Sequence, residues 1–129
     1  MIYNEIISCN IPSPLWYPYS CEYGYHKGLG ILPGEIVKFD DKNYKVPHIG
    51  WNSIEVVSDN KLLKKMNNKH VYFVHSYYLE SSEYAIAKTC YAGKTYVSAV
   101  KYNNIYATQF HPEKSGDVGL EILKNFGDL

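Results

Sequence analysis

The sequence predicts a strand-rich domain closing on a single helix: an α+β domain, or the β-rich half of a larger α/β domain. Three observations lead there. Runs dense in β-branched and aromatic residues recur from Lys27 to Phe110. Turn-forming pairs separate them, notably Ala92-Gly93 and Asn103-Asn104. The last stretch, "SGDVGLEILKNF", spaces Val118, Leu120, Ile122, Leu123 and Phe126 close to helical periodicity.

The elements follow in order. Pro12, Pro14 and Pro18 crowd "IPSPLWYPYS", which forbids a regular helix and disfavours an inner strand, so the first two dozen residues are extended or irregular. "GLGILPGEIVKF" reads as a strand, a turn at Pro33-Gly34 and a second strand. "YKVPHIGWNSIEVV" is extended. "NKLLKKMNNK" is a short polar helix or turn with Leu62, Leu63 and Met66 on one side. "HVYFVHSYYLE" is one strong strand. "EYAIAKTCY", "TYVSAVKY" and "IYATQFH" are three more, and the terminal helix follows with Ser115 as its N-cap.

Bulk properties exclude several classes. The chain has 129 residues, one domain's worth. Its 13 basic residues are all lysine and balance 13 acidic ones. A nucleic-acid binder would show a basic excess and use arginine forks, so no nucleic-acid partner is expected. No apolar run approaches the ~20 residues needed to span a bilayer, and "MIYNEIISCNIPSP" lacks a basic n-region, so neither a membrane span nor a signal peptide is expected. Cys9, Cys21 and Cys90 are odd in number and irregularly spaced, which suits a reducing cytoplasm rather than a disulfide framework. His26, His48, His70, His75 and His111 show no HxxxH or CxxC spacing, so no metal site is expected; His75 reads as a hydrogen-bonded structural histidine.

Chemistry concentrates in "QFHPEKSG", Gln109 to Gly116. On an extended chain His111 and Glu113 point to the same side. Pro112 restricts His111 to extended conformations and fixes its own φ, so the unit is stiff. A carboxylate beside an imidazole sets its tautomer, and the imidazole can then take a proton from a thiol or hydroxyl. The bland alternative is a surface turn with two ordinary polar residues. The position, between a strand and a helix, is where α/β enzymes place catalytic groups.

With "KGLGILPGEIVKF", "VPHIGWNSI", "YFVHSYY" and "ATQFHPEKSGDVGLEILKNF" in that order, the sequence resembles the class I glutamine amidotransferases, and within them the glutaminase subunits of imidazole glycerol phosphate synthases. The resemblance covers residues 22–129; residues 1–21 form a divergent, proline-rich stretch. It implies an α/β fold, the C-terminal, strand-rich portion of a flavodoxin-like amidotransferase domain. It implies no cofactor, glutamine as substrate, and a (β/α)8-barrel synthase subunit as partner in a heterodimer. His111 and Glu113 then look like base and acid of a Cys-His-Glu triad releasing ammonia from glutamine. Ser76 and Tyr77 resemble the segment lining the glutamine pocket, and Glu22 matches the glutamate that holds the substrate's ammonium group. Trp51, Asn52, Tyr72 and Lys114 fall where the family meets its barrel.

The resemblance also implies a nucleophile in a Gly-x-Cys-x-Gly elbow, whose glycines allow the strained turn that exposes the thiol. Counting back without gaps from "GLG" puts that position near residue 10, beside Cys9. Cys9 stands in "IISCNIPSP", without elbow glycines or a following helix, and reads as an ordinary thiol. The simplest expectation is a truncated or alternatively started amidotransferase, or a C-terminal half that assembles with a separately encoded partner. Two other roles fit the same residues: a paralogous amidotransferase subunit of bacterial surface-sugar (nonulosonate) synthesis, and a docking module without a nucleophile.

Overall fold

A computed structural model of the chain describes residues 34–129, together with the backbone of three short strands before them: β1 (Glu5–Ser8), β2 (Tyr19–Ser20) and β3 (His26–Lys27). Cys9, Glu22 and the strand expected at "GLGIL" lie outside the described residues.

Strands stand where the other runs predict them: β4 (Glu35–Lys38), β5 (His48–Ser53), β6 (Glu55–Val56), β7 (His70–His75), β8 (Tyr77–Leu79), β9 (Ala85–Tyr91), β10 (Lys94–Tyr102) and β11 (Ile105–Thr108), followed by α1 (Gly116–Gly127). The main sheet runs β1-β11-β10-β8-β4-β2-β3, with β9 on β10 and β6 on β9. Its pairings are antiparallel except β1 with β11 and β2 with β4. Ala92 and Gly93 both carry positive φ (53° and 72°), the primed-turn geometry that matches strand twist in the β9–β10 hairpin. Asn103 adopts φ 53° in the next turn, a conformation asparagine tolerates better than most residues.

One expectation is corrected. "HVYFVHSYYLE" is two strands, not one. β7 pairs with β5 in a separate two-stranded ribbon, whereas β8 pairs with β4 and β10 in the main sheet. The chain changes sheets at Ser76, whose carbonyl accepts a hydrogen bond from the Phe39 amide (3.0 Å). β-propensity is equally high on both sides of that break, so composition alone does not reveal it.

"NKLLKKMNNK" is a turn rather than a helix, and Leu62, Leu63 and Met66 point into the core as expected. They join Phe39, Phe73, Tyr78, Tyr96, Phe110 and Ile122 in the main apolar cluster. α1 seals this cluster with Ile122, flanked by Val118 and Phe126, while Leu120 faces outward at 65% exposure. Among the described residues no helix is long and apolar enough to cross a membrane.

Candidate functional site

After β11 the chain passes through Gln109 and Phe110 to His111, makes a 3-10 turn at Pro112–Lys114, and enters α1. His111 is extended (φ −100°, ψ 98°), as the following proline requires. Glu113, however, lies in the 3-10 turn and not on an extended strand. The two side chains still meet: His111 Nδ1 is 2.8 Å from Glu113 Oε1. The contact expected from an extended backbone is made instead by a turn that folds the carboxylate back onto the ring.

Protonation follows from geometry. Burial pushes the Glu113 carboxyl up, but its hydrogen bond with His111 and the nearby positive charges outweigh that and hold it below the usual glutamate range. An ionised carboxylate only accepts, so Nδ1 is the donor in this contact, and in the neutral ring Nε2 is the acceptor. His111 is fully buried, and Nε2 has no hydrogen-bond partner among the described residues. Buried polar atoms are nearly always paired, so an orphaned one calls for a specific explanation. An acceptor aimed at a reacting group is such an explanation.

The turn is pinned by three bonds that the sequence does not announce. The His111 amide donates to the Tyr72 carbonyl (2.9 Å). The Tyr72 amide donates to Ser115 Oγ (3.0 Å), and Ser115 Oγ donates to the His111 carbonyl (2.5 Å). Ser115 therefore occupies the N-cap position of α1 without capping it through its side chain. Its hydroxyl fastens the His-Pro-Glu turn to β7 instead. Gly119 is a second residue whose role the sequence hides. A Cβ there would sit 1.8 Å from the Pro112 carbonyl oxygen, so only glycine lets α1 approach the turn this closely. The Ser-x-x-x-Gly pattern after His-Pro-Glu is the signal that could point to both.

The other expected site residues separate into groups. Ser76 and Tyr77 are half-buried where the chain switches sheets. Trp51 and Tyr72 are register partners across β5 and β7, with rings edge-to-face at 6.0 Å. Trp51 is 55% exposed, and Lys114 is exposed in the turn next to Glu113. Asn52 is used internally: its amide donates to the Cys90 carbonyl (2.8 Å) and its Oδ1 accepts from the Ser53 amide (2.8 Å). Cys90 is an exposed free thiol on β9 whose Sγ lies 3.0 Å from Thr95 Oγ1. Among the described residues no group of three His, Cys, Asp or Glu side chains could hold a metal ion.

A second polar cluster lies under β5 and β7. His48 and His75 face each other in register, with His48 Nδ1 3.3 Å from His75 Nε2. Burial lowers the histidine pKa to about 4 for His48 and about 3 for His75. Both are therefore neutral in the folded state, whereas the unfolded chain takes up protons below about 6.5. Stability is full above that value and falls as pH drops, levelling off below about 4 and 3 respectively. Denaturant unfolding between pH 7 and 5 is expected to show this loss, each histidine contributing up to about 1.4 kcal/mol per pH unit. A flat profile over that range would contradict the assignment.

Known proteins of similar sequence and fold identify the family. Residues 25–128 match the class-I glutamine amidotransferase family. The chain is 44% identical over 111 residues to the imidazole glycerol phosphate synthase subunit HisH of Chlorobaculum tepidum, covering 84% of this chain and 55% of that protein. It is 46% identical over 104 residues to the corresponding protein of Methanocaldococcus jannaschii, covering 80% and 53%. The chain thus spans about half the length of these relatives. A crystal structure of a glutamine amidotransferase from Thermotoga maritima shares the fold, with a TM-score of 0.50 and 22% identity over 76% of this chain and 41% of that one. With the family match extending over almost all the described residues, the chain belongs to the class-I glutamine amidotransferases.

Proposed function

We propose that this chain carries the base and acid of a glutamine-hydrolysing site, as part of the glutaminase subunit of an imidazole glycerol phosphate synthase. The observation that carries the reading is His111: fully buried, bound through Nδ1 to Glu113, with Nε2 unpartnered among the described residues. In this reading Nε2 takes the proton of a cysteine thiol, and the thiolate attacks the carboxamide carbon of glutamine. The imidazolium returns the proton to the leaving nitrogen, and ammonia departs. Water activated by the same nitrogen then cleaves the thioester to glutamate. Glu113 keeps the ring oriented and stabilises its charged form. Ser76 and Tyr77 line the glutamine pocket, and Glu22 holds the substrate's ammonium group. The ammonia passes to a (β/α)8-barrel synthase subunit for histidine biosynthesis in the cytoplasm. The names of the relatives favour this pathway over surface-sugar synthesis.

The test is ammonia release from L-glutamine by a folded preparation of the longest polypeptide that carries this chain. Release with the barrel subunit present is expected. None with or without it overturns the glutaminase reading.

The exposed Trp51, edge-to-face with Tyr72 and accompanied by exposed Lys114, favours a second role in docking, which does not need a nucleophile. A large aromatic left exposed beside a second ring is a typical interface anchor. Trp51→Ala is expected to weaken capture of the barrel subunit by about tenfold or more, read by titration calorimetry. Unchanged affinity would remove Trp51 from the interface.

A further inference from the structure

The sheet switch at Ser76 has a support that neither the triad nor the docking face uses. His75 Nδ1 lies 2.8 Å from the carbonyl oxygen of Tyr77, two residues on. A carbonyl only accepts, so Nδ1 carries the hydrogen and His75 is the Nδ1–H tautomer. Nε2 is then an acceptor, and it faces two groups able to donate: the Tyr96 hydroxyl at 3.1 Å and, as its Nδ1–H tautomer, His48 at 3.3 Å. The rings of Phe39, Phe73 and Tyr96 surround the imidazole with centroids 5.1–5.6 Å away, and the side chain is buried. Orientation and tautomer are both fixed. Burial keeps the ring neutral, so Nε2 stays an acceptor.

We propose that His75 is a positioning residue for glutamine: its Nδ1–H bond to the Tyr77 carbonyl holds the Ser76–Tyr77 turn in its substrate-lining shape. The inference rests on the glutamine-pocket reading of Ser76 and Tyr77. The turn needs such support because it breaks a ladder. β7 ends at His75 in one sheet and β8 starts at Tyr77 in another, and at the break the Ser76 carbonyl accepts from the Phe39 amide outside any strand ladder. A side-chain bond spanning i to i+2 across that break fixes the peptide between them.

Three substitutions separate this role from bulk packing. An asparagine amide nitrogen falls near the place of Nδ1, and a glutamine amide nitrogen near that of Nε2. His75→Asn therefore keeps the donor to the Tyr77 carbonyl, whereas His75→Gln and His75→Leu lose it. L-glutamine affinity, measured by calorimetry on folded protein in the longest polypeptide that carries this chain, is expected to fall tenfold or more in His75→Leu and His75→Gln. His75→Asn should restore most of it, although its Tm falls with the others. Equal affinity in all three variants and the wild type overturns the His75 assignment and leaves the pocket reading standing. A wild-type protein that binds no glutamine overturns both. Nitrogen NMR of the unmodified protein decides the case even where variants misfold. A protonated Nδ1 is required, and an Nε2–H tautomer rules the proposal out.

Discussion

His111→Asn is expected to lower the rate of glutamine hydrolysis by about a thousandfold, and Glu113→Gln by about a hundredfold, within the range general acid–base groups contribute. The two effects differ because the residues do different work. His111 moves the protons, and asparagine offers no basic nitrogen in place of Nε2. Glu113 moves none. Its charge sets the Nδ1–H tautomer and stabilises the imidazolium at 2.8 Å, and a glutamine side chain there still accepts a hydrogen bond without the charge. Both substitutions should act on kcat rather than KM, since neither side chain is placed to bind the substrate's ground state. Steady-state ammonia release, normalised to the folded fraction, reads the result. A Glu113→Gln rate equal to wild type would mean that its contact with His111 plays no part in the chemistry.

Gly119→Ala is expected to destabilise the fold by about 3 kcal/mol, a drop in Tm on the order of 10 °C. The sign makes this informative. In an unobstructed helix the same change is stabilising by up to about 1 kcal/mol, because alanine is the better helix former. Here the added Cβ would stand 1.8 Å from the Pro112 carbonyl oxygen and 2.9 Å from Ser115 Cβ. The obstacles belong to the turn that carries His111 and Glu113, so relief comes only by moving α1 off the turn or the turn off β7. The Ser115 bonds that fasten His111 to Tyr72 would be stretched with it. Gly127→Ala, at the last residue of α1 with nothing within 4 Å of its added Cβ, is the internal control and should be neutral to slightly stabilising. Thermal unfolding of both variants checks the pair, and a neutral or stabilised Gly119→Ala would disprove the close approach.

Much of the fold and part of the site are legible in the sequence. Alternation and β-branched runs locate β9 to β11 and the run that holds β7 and β8, because strands half-buried in a sheet need that pattern. Ala92-Gly93 and Asn103-Asn104 mark the two turns, because glycine and asparagine tolerate the positive φ found at Gly93 and Asn103. The stiff His-Pro-Glu unit announces the dyad, because proline removes the freedom that would otherwise keep the side chains apart. What stays hidden depends on tertiary contacts. The sheet switch at Ser76 has no propensity signature. Ser115 looks like a helix cap in sequence, and only the distance to Tyr72 reveals its other use. His75 is legible as a structural histidine, but its tautomer is set by the Tyr77 carbonyl and by donors on β10 and β5, far apart in sequence. Asn52 is tied to the Cys90 carbonyl, a link between β5 and β9 that sequence spacing cannot show.

The central claim is that His111 Nε2 serves as base to a reacting thiol. Trapping tests it without full turnover: the longest polypeptide that carries this chain, with the barrel subunit present, is treated with a glutamine analogue bearing an electrophilic carbon in place of the carboxamide. Mass spectrometry of the digested protein should find the analogue on a single cysteine, forming at a rate cut by about a hundredfold or more in His111→Asn. No adduct on folded wild-type protein, or an adduct that forms as fast without His111, would contradict the account.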